Sequence, residues 1–418
     1  MRFRTFGIPA MLLLIVALSP SPAASAKTCK DWDDGLSCNG CTFLYASTND
    51  HRILIYKIDP NGGLGSPSST LSAHDASYLG HLDHLYAIDA SRNAVDEYRV
   101  NEVDGALTPC SPFSFGAASG APAGLAFVFP GDSNYMYVGD TNGTISVFDI
   151  GNPVGTVRMT IAGSPFAVGE APVNLLCTWW SPTLYAADLR KNVIFAFTVG
   201  AGGGPTAVPG SPFAVPPNSA PAGMAGGHDR RRAMLYVALS GSDQIAAFSI
   251  AASGALSPIP GSPFAAGRRP QSLLDFGAGN REYLYALNSL DHTISAYSVD
   301  RTSGALRAVQ GSPFAAGTAS AGMVIGMTFP VPHRIIYVPD LQSKSIRAFA
   351  VDESTGSLSQ LPGSPFPTSA GPEALTTVST SFMSALPPPQ YVPAVDNFQK
   401  DEPLLLPEPP LPKWPPTL

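Results

Sequence analysis

The stretch LYVALSGSDQIAAFSIAASGALSPIPGSPF, residues 235–264, contains the marks of a unit that recurs along most of the chain. It opens with an apolar residue followed by Tyr, crosses a polar turn, and enters a second apolar run, Ile245–Ile250. A turn containing Gly254 then leads to the tag Ser-Pro-Phe at 262–264. Runs of β-branched and aromatic residues fit a pleated, packed surface, and Gly supplies the positive φ of tight hairpin turns. The stretch therefore predicts successive short β-strands joined by hairpins.

The apolar-Tyr pair occurs seven times, at intervals of 41 to 52 residues. Its copies are Leu44-Tyr45, Leu85-Tyr86, Met136-Tyr137, Leu184-Tyr185, Leu235-Tyr236, Leu284-Tyr285 and Ile336-Tyr337. The Ser-Pro-Phe tag follows six of these pairs and begins at 111, 164, 211, 262, 312 and 364, whereas the first unit has Ser66-Pro67-Ser68 in its place. A unit of about 50 residues with four strand-like segments has the period of a propeller blade.

We predict an all-β fold, a seven-bladed β-propeller of four-stranded blades. The strand-like runs are almost continuously apolar, which indicates sheets that are buried on both faces. Because Pro cannot donate a ladder hydrogen bond, the tag is expected at the outer edge of each blade, with its Phe in the gap between neighbouring sheets. The first unit begins at Thr42 with the second strand of a blade. The run 373–380 is expected to supply the missing inner strand and so close the ring.

Charge and composition narrow the function classes. Charged residues make up 13% of the 418 residues, against about 25% in an average soluble chain, and the formal net charge is −7. A nucleic-acid-binding protein usually has a basic face, so we expect no nucleic-acid partner. No segment after the N-terminal region is long and apolar enough to cross a membrane. We therefore predict no stable membrane insertion. We also expect a monomer.

The two ends of the chain differ from the repeats. A positively charged start, an apolar run and the triplet Ala24-Ser25-Ala26 are together typical of a signal peptide, which predicts a secreted or periplasmic protein. The predicted regions are a signal peptide at 1–26, a segment with three cysteines at 27–41, the propeller at 42–384, and a Pro-rich tail at 385–418. The composition of the tail predicts an extended or disordered chain.

Cys29, Cys38 and Cys41 lie close together in the segment that follows the signal peptide. Export favours a structural disulfide between two of them, and their connectivity is open. The C-x-x-C spacing of Cys38 and Cys41 leaves a redox site or a metal site as alternatives. A zinc site needs a fourth ligand, and the sequence has no second C-x-x-C and no H-x-x-x-H motif, so we assign no metal.

The repeated unit resembles that of the seven-bladed lactonase family, which includes 6-phosphogluconolactonase-like proteins, and that of YVTN-type repeat proteins. The resemblance lies in the pattern L-Y-V…I-x-A-F-x-V…G-A-L…G-S-P-F-A-x-G…P and covers about residues 42–384. It implies a propeller, and it implies a His after Pro near the inner strand, with Arg and Glu lining the channel. The matching positions here are Pro122-Ala123, Pro172-Val173, Pro221-Ala222 and Pro270-Gln271. The resemblance therefore assigns no catalytic residue.

The candidate site residues lie in loops that lead from the outer strand of one blade to the inner strand of the next. In a propeller these loops surround the channel mouth, and loops on a rigid scaffold are where function usually resides. The candidates are His74, Asp75, Glu170, Arg268 and Glu373. A His-Asp pair could orient a general base for water attack on a lactone, and Arg268 or its neighbour could bind a carboxylate or phosphate. The alternative is that all five are hydrated loop residues.

Two functions are compatible with this sequence. The first is a lactonase-like hydrolase or isomerase of the 6-phosphogluconolactonase type, which acts at the channel mouth on a small-molecule lactone or sugar and uses no cofactor. The second is a non-catalytic extracellular propeller that binds a carbohydrate, a peptide or a surface protein. A channel cluster of His or Glu beside Arg would favour the enzyme, and a broad exposed patch on one face would favour the binding protein.

The signal peptide gives the first testable prediction. The A-x-A triplet predicts cleavage after Ala26, so the exported protein should begin at Lys27. N-terminal sequencing of protein recovered from outside the cytoplasm checks this, and recovery of exported protein that still begins at Met1 would contradict it.

Overall fold

A computed structural model describes residues 42–379, apart from 74–77, 82–83, 102, 111–112, 115–119, 131–132, 152–158, 179–180, 227–232, 319, 321 and 329–332. The described residues form strands, turns and loops, and no helix among them is long and apolar enough to span a membrane. Their strands make seven antiparallel sheets, which are the blades of a seven-bladed β-propeller. The predicted fold class is confirmed. The predicted signal peptide, the segment with Cys29, Cys38 and Cys41, and the Pro-rich tail lie outside the described residues.

Each blade has an inner, a second, a third and an outer strand. The inner strands are β4 (Tyr78–His81), β9 (Pro122–Val128), β14 (Pro172–Cys177), β19 (Pro221–Gly226), β24 (Pro270–Ala278), β29 (Val324–Met327) and β34 (Pro372–Ser379). The second strands are β1 (Thr42–Thr48), β5 (His84–Asp89), β10 (Tyr135–Asp140), β15 (Thr183–Asp188), β20 (Met234–Leu239), β25 (Arg281–Asn288) and β30 (Arg334–Asp340). The third strands are β2 (Arg52–Lys57), β6 (Ala94–Val100), β11 (Thr144–Asp149), β16 (Val193–Val199), β21 (Gln244–Ile250), β26 (Thr293–Val299) and β31 (Ser345–Val351).

The outer strand is continuous only in blade 1, where it is β3 (Ser69–Ser72). In the other six blades a turn divides it into two short pieces that both pair with the third strand. These pieces are β7 (Leu107–Pro109) and β8 (Phe113–Ser114), β12 (Met159–Thr160) and β13 (Phe166–Ala167), β17 (Pro205–Ala207) and β18 (Phe213–Ala214), β22 (Leu256–Pro258) and β23 (Phe264–Ala265), β27 (Leu306–Ala308) and β28 (Phe314–Ala315), and β32 (Leu358–Gln360) and β33 (Phe366–Pro367). Short, interrupted edge strands offer little backbone for pairing with another chain.

The second strands form the centre of each blade. Every residue of β5, β10 and β15 is buried, including alternate residues that point to opposite faces of the sheet. Buried clusters join the second strands of adjacent blades, such as Tyr185 of blade 4 with Val237 of blade 5. The predicted burial of both sheet faces is confirmed, because each sheet packs on both faces against its neighbours in the ring.

The Ser-Pro-Phe tag lies at the outer edge, as predicted, and its Ser has a role that the sequence did not reveal. In five blades the Ser hydroxyl accepts a hydrogen bond of 2.9–3.0 Å from a backbone N–H in the middle of the third strand. The donors are Val147, Ala196, Ala247, Ala296 and Ala348. The rings of Phe213, Phe264 and Phe314 are half-buried and pack against the clusters between blades. The tag therefore satisfies an edge N–H where the outer strand is broken.

In six of the seven blades a buried Tyr of the second strand connects its blade to the next one, whereas in blade 2 the hydroxyl of Tyr86 donates to Oε1 of Glu97 in the same blade (3.2 Å). In the six blades the Tyr hydroxyl donates a hydrogen bond to the carbonyl of a Gly in the turn between the third and outer strands of the neighbouring blade. The pairs are Tyr45–Gly105 (2.9 Å), Tyr137–Gly203, Tyr185–Gly254 (2.8 Å), Tyr236–Gly304 (2.8 Å), Tyr285–Gly356 (2.9 Å) and Tyr337–Gly62 (2.7 Å). Burial raises the pKa of Tyr45, Tyr185 and Tyr285, so these hydroxyls stay protonated and remain donors.

The ring closes in the predicted manner. The strand β34 pairs antiparallel with β1, from Thr42 opposite Ser379 to Thr48 opposite Pro372. Blade 1 therefore combines one strand from the C-terminal part of the chain with three from the N-terminal part. The Tyr337–Gly62 pair joins blade 7 to blade 1 across this closure.

Two truncations test the closure. A chain that ends at Gly371 lacks β34 and leaves β1 with an unpaired edge, so it should melt at a lower temperature and aggregate. A chain that lacks only 387–418 retains β34 and should melt like the full-length protein. Thermal unfolding and size-exclusion chromatography of both chains check this. Equal melting temperatures for the Gly371 truncation and the full-length protein would contradict the role given to β34.

Candidate functional site

The buried ends of the second strands hold two sets of loops on one face of the ring. Asp188, the last residue of β15, is fully buried. It accepts hydrogen bonds from the backbone N–H groups of Glu170 (2.6 Å) and Ala171 (3.2 Å), which precede the inner strand. It also accepts them from Arg190 (3.0 Å) and Lys191 (2.9 Å), which follow the second strand. The loops before the inner strands and after the second strands therefore share one face, which we call the mouth face.

These strand-end carboxylates are ionised acceptors. Burial alone raises the pKa of Asp340, but the hydrogen bonds from Thr318 and Ser343 outweigh it and lower the pKa to about 2. Burial likewise raises the pKa of Asp188. The hydrogen bonds that this carboxylate accepts from backbone N–H groups, among them those of Glu170 and Lys191, outweigh the effect of burial and lower the pKa. A carboxylate that accepts several N–H bonds is strongly favoured in its charged form. We therefore assign these residues to loop geometry and not to proton transfer.

Glu170 lies on the mouth face between blades 3 and 4. Its side chain is 57% exposed, and its Oε1 atom is 4.0 Å from Nζ of Lys191. An exposed ion pair of this kind contributes little to stability. The carboxylate is thus solvated and faces a neighbouring cation, in the loop two residues before the inner strand β14.

Arg268 and Arg269 lie in the corresponding loop between blades 5 and 6, and both side chains are exposed. The N–H of Arg268 donates to Oδ2 of Asp291 (2.6 Å), and its Nε is 4.0 Å from Oδ1 of the same residue. The N–H of Arg269 donates to Oδ1 of Asp243 (2.7 Å). Arg269 has a φ of 55°, a left-handed conformation that is uncommon outside Gly, Asn and Asp. Ala220, the equivalent residue of blade 5, has a similar φ of 47°, so this conformation belongs to the turn. Two turn aspartates hold the backbone of both arginines in place.

Three of the five predicted site residues lie among the described residues, at the starts of different blades. His74 and Asp75 lie outside the described residues. Glu170, Arg268 and Glu373 share the mouth face but belong to the starts of blades 4, 6 and 1, which are not adjacent. Within the described ranges, no group of three or more His, Cys, Asp or Glu residues could hold a metal ion.

The inner strands that begin with Pro share a β-bulge directly after it. In blade 4, Pro172 pairs with Asp188 and Asn174 pairs with Ala187, which leaves Val173 as an extra residue. The same register shift occurs in blades 1, 3, 5 and 6. The extra residues are Ala123, Val173, one of the pair Ala222-Gly223, Gln271 and Glu373. Bulges re-aim side chains and are over-represented beside active sites.

Glu373 is the one acidic residue at these five bulge positions. The residue before it, Pro372, and Leu375 after it are buried, whereas Glu373 itself is half-buried. Because the inner strand lines the central channel, its half-buried side chains are exposed toward the channel and its mouth. The bulge therefore places a carboxylate at the channel mouth on a strand that is otherwise packed.

The sequence predicted Glu373 both as a loop candidate and as the first residue of the inner-strand run 373–380, and the structure places it in the strand β34. The bulge was not predicted, although its signal is visible: Pro is followed by one residue more than the pairing with the second strand requires. The same bulge makes Gln271 a second polar residue at the channel mouth, which the list of candidates had omitted.

The ring has counterparts among solved structures. A periplasmic gluconolactonase from Pseudomonas aeruginosa superposes with a TM-score of 0.65 and 19% sequence identity, over 81% of this chain and 99% of that one. A 6-phosphogluconolactonase-like protein from Bacteroides fragilis superposes with a TM-score of 0.62 and 22% sequence identity, over 81% of this chain and 98% of that one. A similar protein from Bacteroides uniformis superposes with a TM-score of 0.62 and 19% sequence identity, over 81% of this chain and 100% of that one. This chain has the lactonase-type propeller fold.

No protein-family model matches the sequence of this propeller, and no curated protein matches it. At 19–22% identity the likeness to solved structures establishes the fold alone. The reaction has to be argued from the residues at the mouth of this propeller.

Acid sensitivity tests the role of the strand-end carboxylates. The pKa of Asp340 is about 2 in the folded chain, below the ordinary value of about 3.9. Its stabilisation is therefore complete above about pH 4 and disappears as the pH falls through about 2. Asp340→Asn should lower the melting temperature at pH 7 and lose less stability than the wild type between pH 4 and pH 2. Thermal unfolding at stepped pH measures both effects.

The control is Asp104→Asn, which changes an exposed turn on the opposite face and should leave the melting temperature at pH 7 unchanged. If Asp340→Asn keeps the full acid sensitivity of the wild type, the carboxylate does not stabilise the loops as argued.

Proposed function

We propose that this protein is an exported hydrolase that opens a small-molecule lactone at the channel mouth, with Glu373 as the general base. The observation that carries the proposal is the position of Glu373: a carboxylate on a β-bulge of an inner strand, where the equivalent residues of blades 3 and 4 are Ala123 and Val173. The fold shared with a periplasmic gluconolactonase supports the substrate class and the location. The signal-peptide pattern of residues 1–26 also supports export.

The proposed reaction needs one base and a source of positive charge. Glu373 takes a proton from a water molecule, and the water oxygen bonds to the lactone carbonyl carbon. The ring C–O bond then breaks, and the proton passes from Glu373 to the departing alkoxide, which gives a hydroxy acid. The reaction consumes one water and requires no cofactor, so we assign none.

The arginines of the mouth face are the proposed source of positive charge. The negative charge that develops on the carbonyl oxygen is stabilised most by donors that are already in place. Arg268 and Arg269 meet that condition in part, because their backbone is fixed by Asp291 and Asp243. Gln271, two residues beyond Arg269, adds an amide donor at the neighbouring bulge.

A non-catalytic role in binding a carbohydrate, a peptide or a surface protein is the second candidate. The observation that favours it is that Glu170 and Arg268 each face a neighbouring opposite charge and belong to non-adjacent blades. Such residues suit a broad recognition surface more than a compact catalytic cluster.

A pair of Glu→Gln substitutions tests the enzyme. With a panel of lactones and a proton-release assay, Glu373→Gln should lower kcat by about 10²–10⁴-fold, the usual contribution of a general base, with an unchanged melting temperature. Glu170→Gln removes a carboxylate from the same face and should lower kcat less than about threefold, because Glu170 is not on an inner strand and the proposal gives it no proton to transfer.

The outcomes separate the two candidates. If the wild type hydrolyses a lactone and Glu373→Gln retains the rate, the site is misplaced. If the wild type hydrolyses none of the panel, the binding role is the better one, and the same variants should then be compared for affinity to glycans and peptides.

A further inference from the structure

The bulge residues of the five blades in which the structure describes a bulge differ in polarity. The bulge residues of blades 3, 4 and 5 are Ala123, Val173 and the pair Ala222-Gly223, none of which has a polar side chain. Those of blades 6 and 1 are Gln271 and Glu373. The bulges are equivalent in backbone position, so the difference in polarity comes from their side chains.

Leu341 adds an exposed apolar side chain beside Glu373. It directly follows β30 in blade 7, lies on the mouth face, and is 38% exposed. A Cβ placed on Gly371 would lie 2.6 Å from Cδ1 of Leu341 and 2.6 Å from its carbonyl oxygen. Leu341 therefore packs directly against the backbone two residues before Glu373, and only a residue without a side chain leaves room for it there.

The residues equivalent to Leu341 in several other blades are polar. The residue that directly follows the second strand is polar in four blades (Asn49 in blade 1, Thr141 in blade 3, Ser240 in blade 5 and Ser289 in blade 6), whereas it is Ala90 in blade 2 and Leu189 in blade 4. In the four blades with a polar residue here, the backbone N–H of that residue donates to the carbonyl of the residue that precedes the Pro of the inner strand. A polar side chain is thus compatible with this turn, and the geometry of the fold does not require Leu at 341.

We infer that the substrate is a lactone with an apolar substituent, and that Leu341 is a specificity-determining residue that contacts this substituent. The inference rests on the proposed function and adds the substrate class to it. The ester group lies toward Glu373, and the substituent lies on the neighbouring side chain of Leu341. A polyhydroxylated sugar lactone would need polar partners around its ring, and the side chain of Leu341 supplies none beside Glu373.

A substrate comparison tests the class. Three lactones with the same six-membered ring are compared by proton release: δ-valerolactone, δ-decalactone with its five-carbon alkyl chain, and glucono-δ-lactone. Each methylene group removed from water is worth about fourfold, so kcat/KM for δ-decalactone should exceed that for δ-valerolactone by at least about tenfold, and that for glucono-δ-lactone by more.

Two Leu→Ser substitutions test the residue. Leu341→Ser should lower kcat/KM for δ-decalactone about tenfold, mainly through KM, and leave δ-valerolactone within about twofold. Leu290→Ser is the matched control, because Leu290 is a 49% exposed Leu on the mouth face of blade 6 and should leave both values unchanged. Melting temperatures of both variants should equal that of the wild type, since both side chains are exposed.

The results distinguish this inference from the proposed function. A preference for glucono-δ-lactone, or an equal loss on both alkyl substrates in Leu341→Ser, overturns the inference and leaves lactone hydrolysis intact. Equal losses in Leu341→Ser and Leu290→Ser overturn the assignment to Leu341. Absence of turnover on all three lactones overturns the proposed function, and the inference with it.

Discussion

The hydrogen bond from a buried Tyr hydroxyl to a Gly carbonyl of the next blade is the interaction on which this ring depends. Each such bond contributes a net of about 0.5–1.5 kcal/mol, and loss of the donor leaves a buried carbonyl unsatisfied at a larger cost. Only Gly fits at the acceptor. A Cβ at Gly105 would lie 2.5 Å from the ring of Phe43, and one at Gly356 would lie 2.3 Å from the ring of Tyr283. The bond therefore sets the distance between blades, and the spacing of the mouth loops follows from it.

A ring of repeats also separates scaffold from site. Residues that recur in most blades, such as the Tyr, its Gly and the Ser-Pro-Phe tag, hold sheets together. Residues that differ at equivalent positions are not required by the fold, and these are where function can be sought. By that criterion the mouth face is distinguished by Glu373, Gln271, Leu341 and Arg269. Each occupies a position where another blade has Ala, Ser, Thr or Gly, and the fold tolerates those residues there.

The sequence predicted the architecture well because the repeat states it seven times. Leu235-Tyr236 and its copies, the Gly turns and the tag each have a local physical reason, and the missing inner strand of blade 1 followed from counting strands. The site could not be predicted to the same degree. The bulge at Glu373 depends on its pairing with Ser47 and Thr48, which are more than 300 residues away in sequence. Leu341 had no signal at all, since a single Leu in a turn is ordinary until Gly371 is seen to lie against it.

Closure of blade 1 by its last strand imposes an order on synthesis. Ser47 and Ala374, which share a hydrogen bond in the finished ring, are 327 residues apart in the chain. At a translation rate of about 5–20 residues per second, the first strand waits roughly 20 to 60 seconds for its partner. During that interval β1 has an open edge, and blades 1 and 7 cannot join. Under the proposed export this delay would keep the ring open during membrane crossing, because no closed ring can form before β34 has left the ribosome.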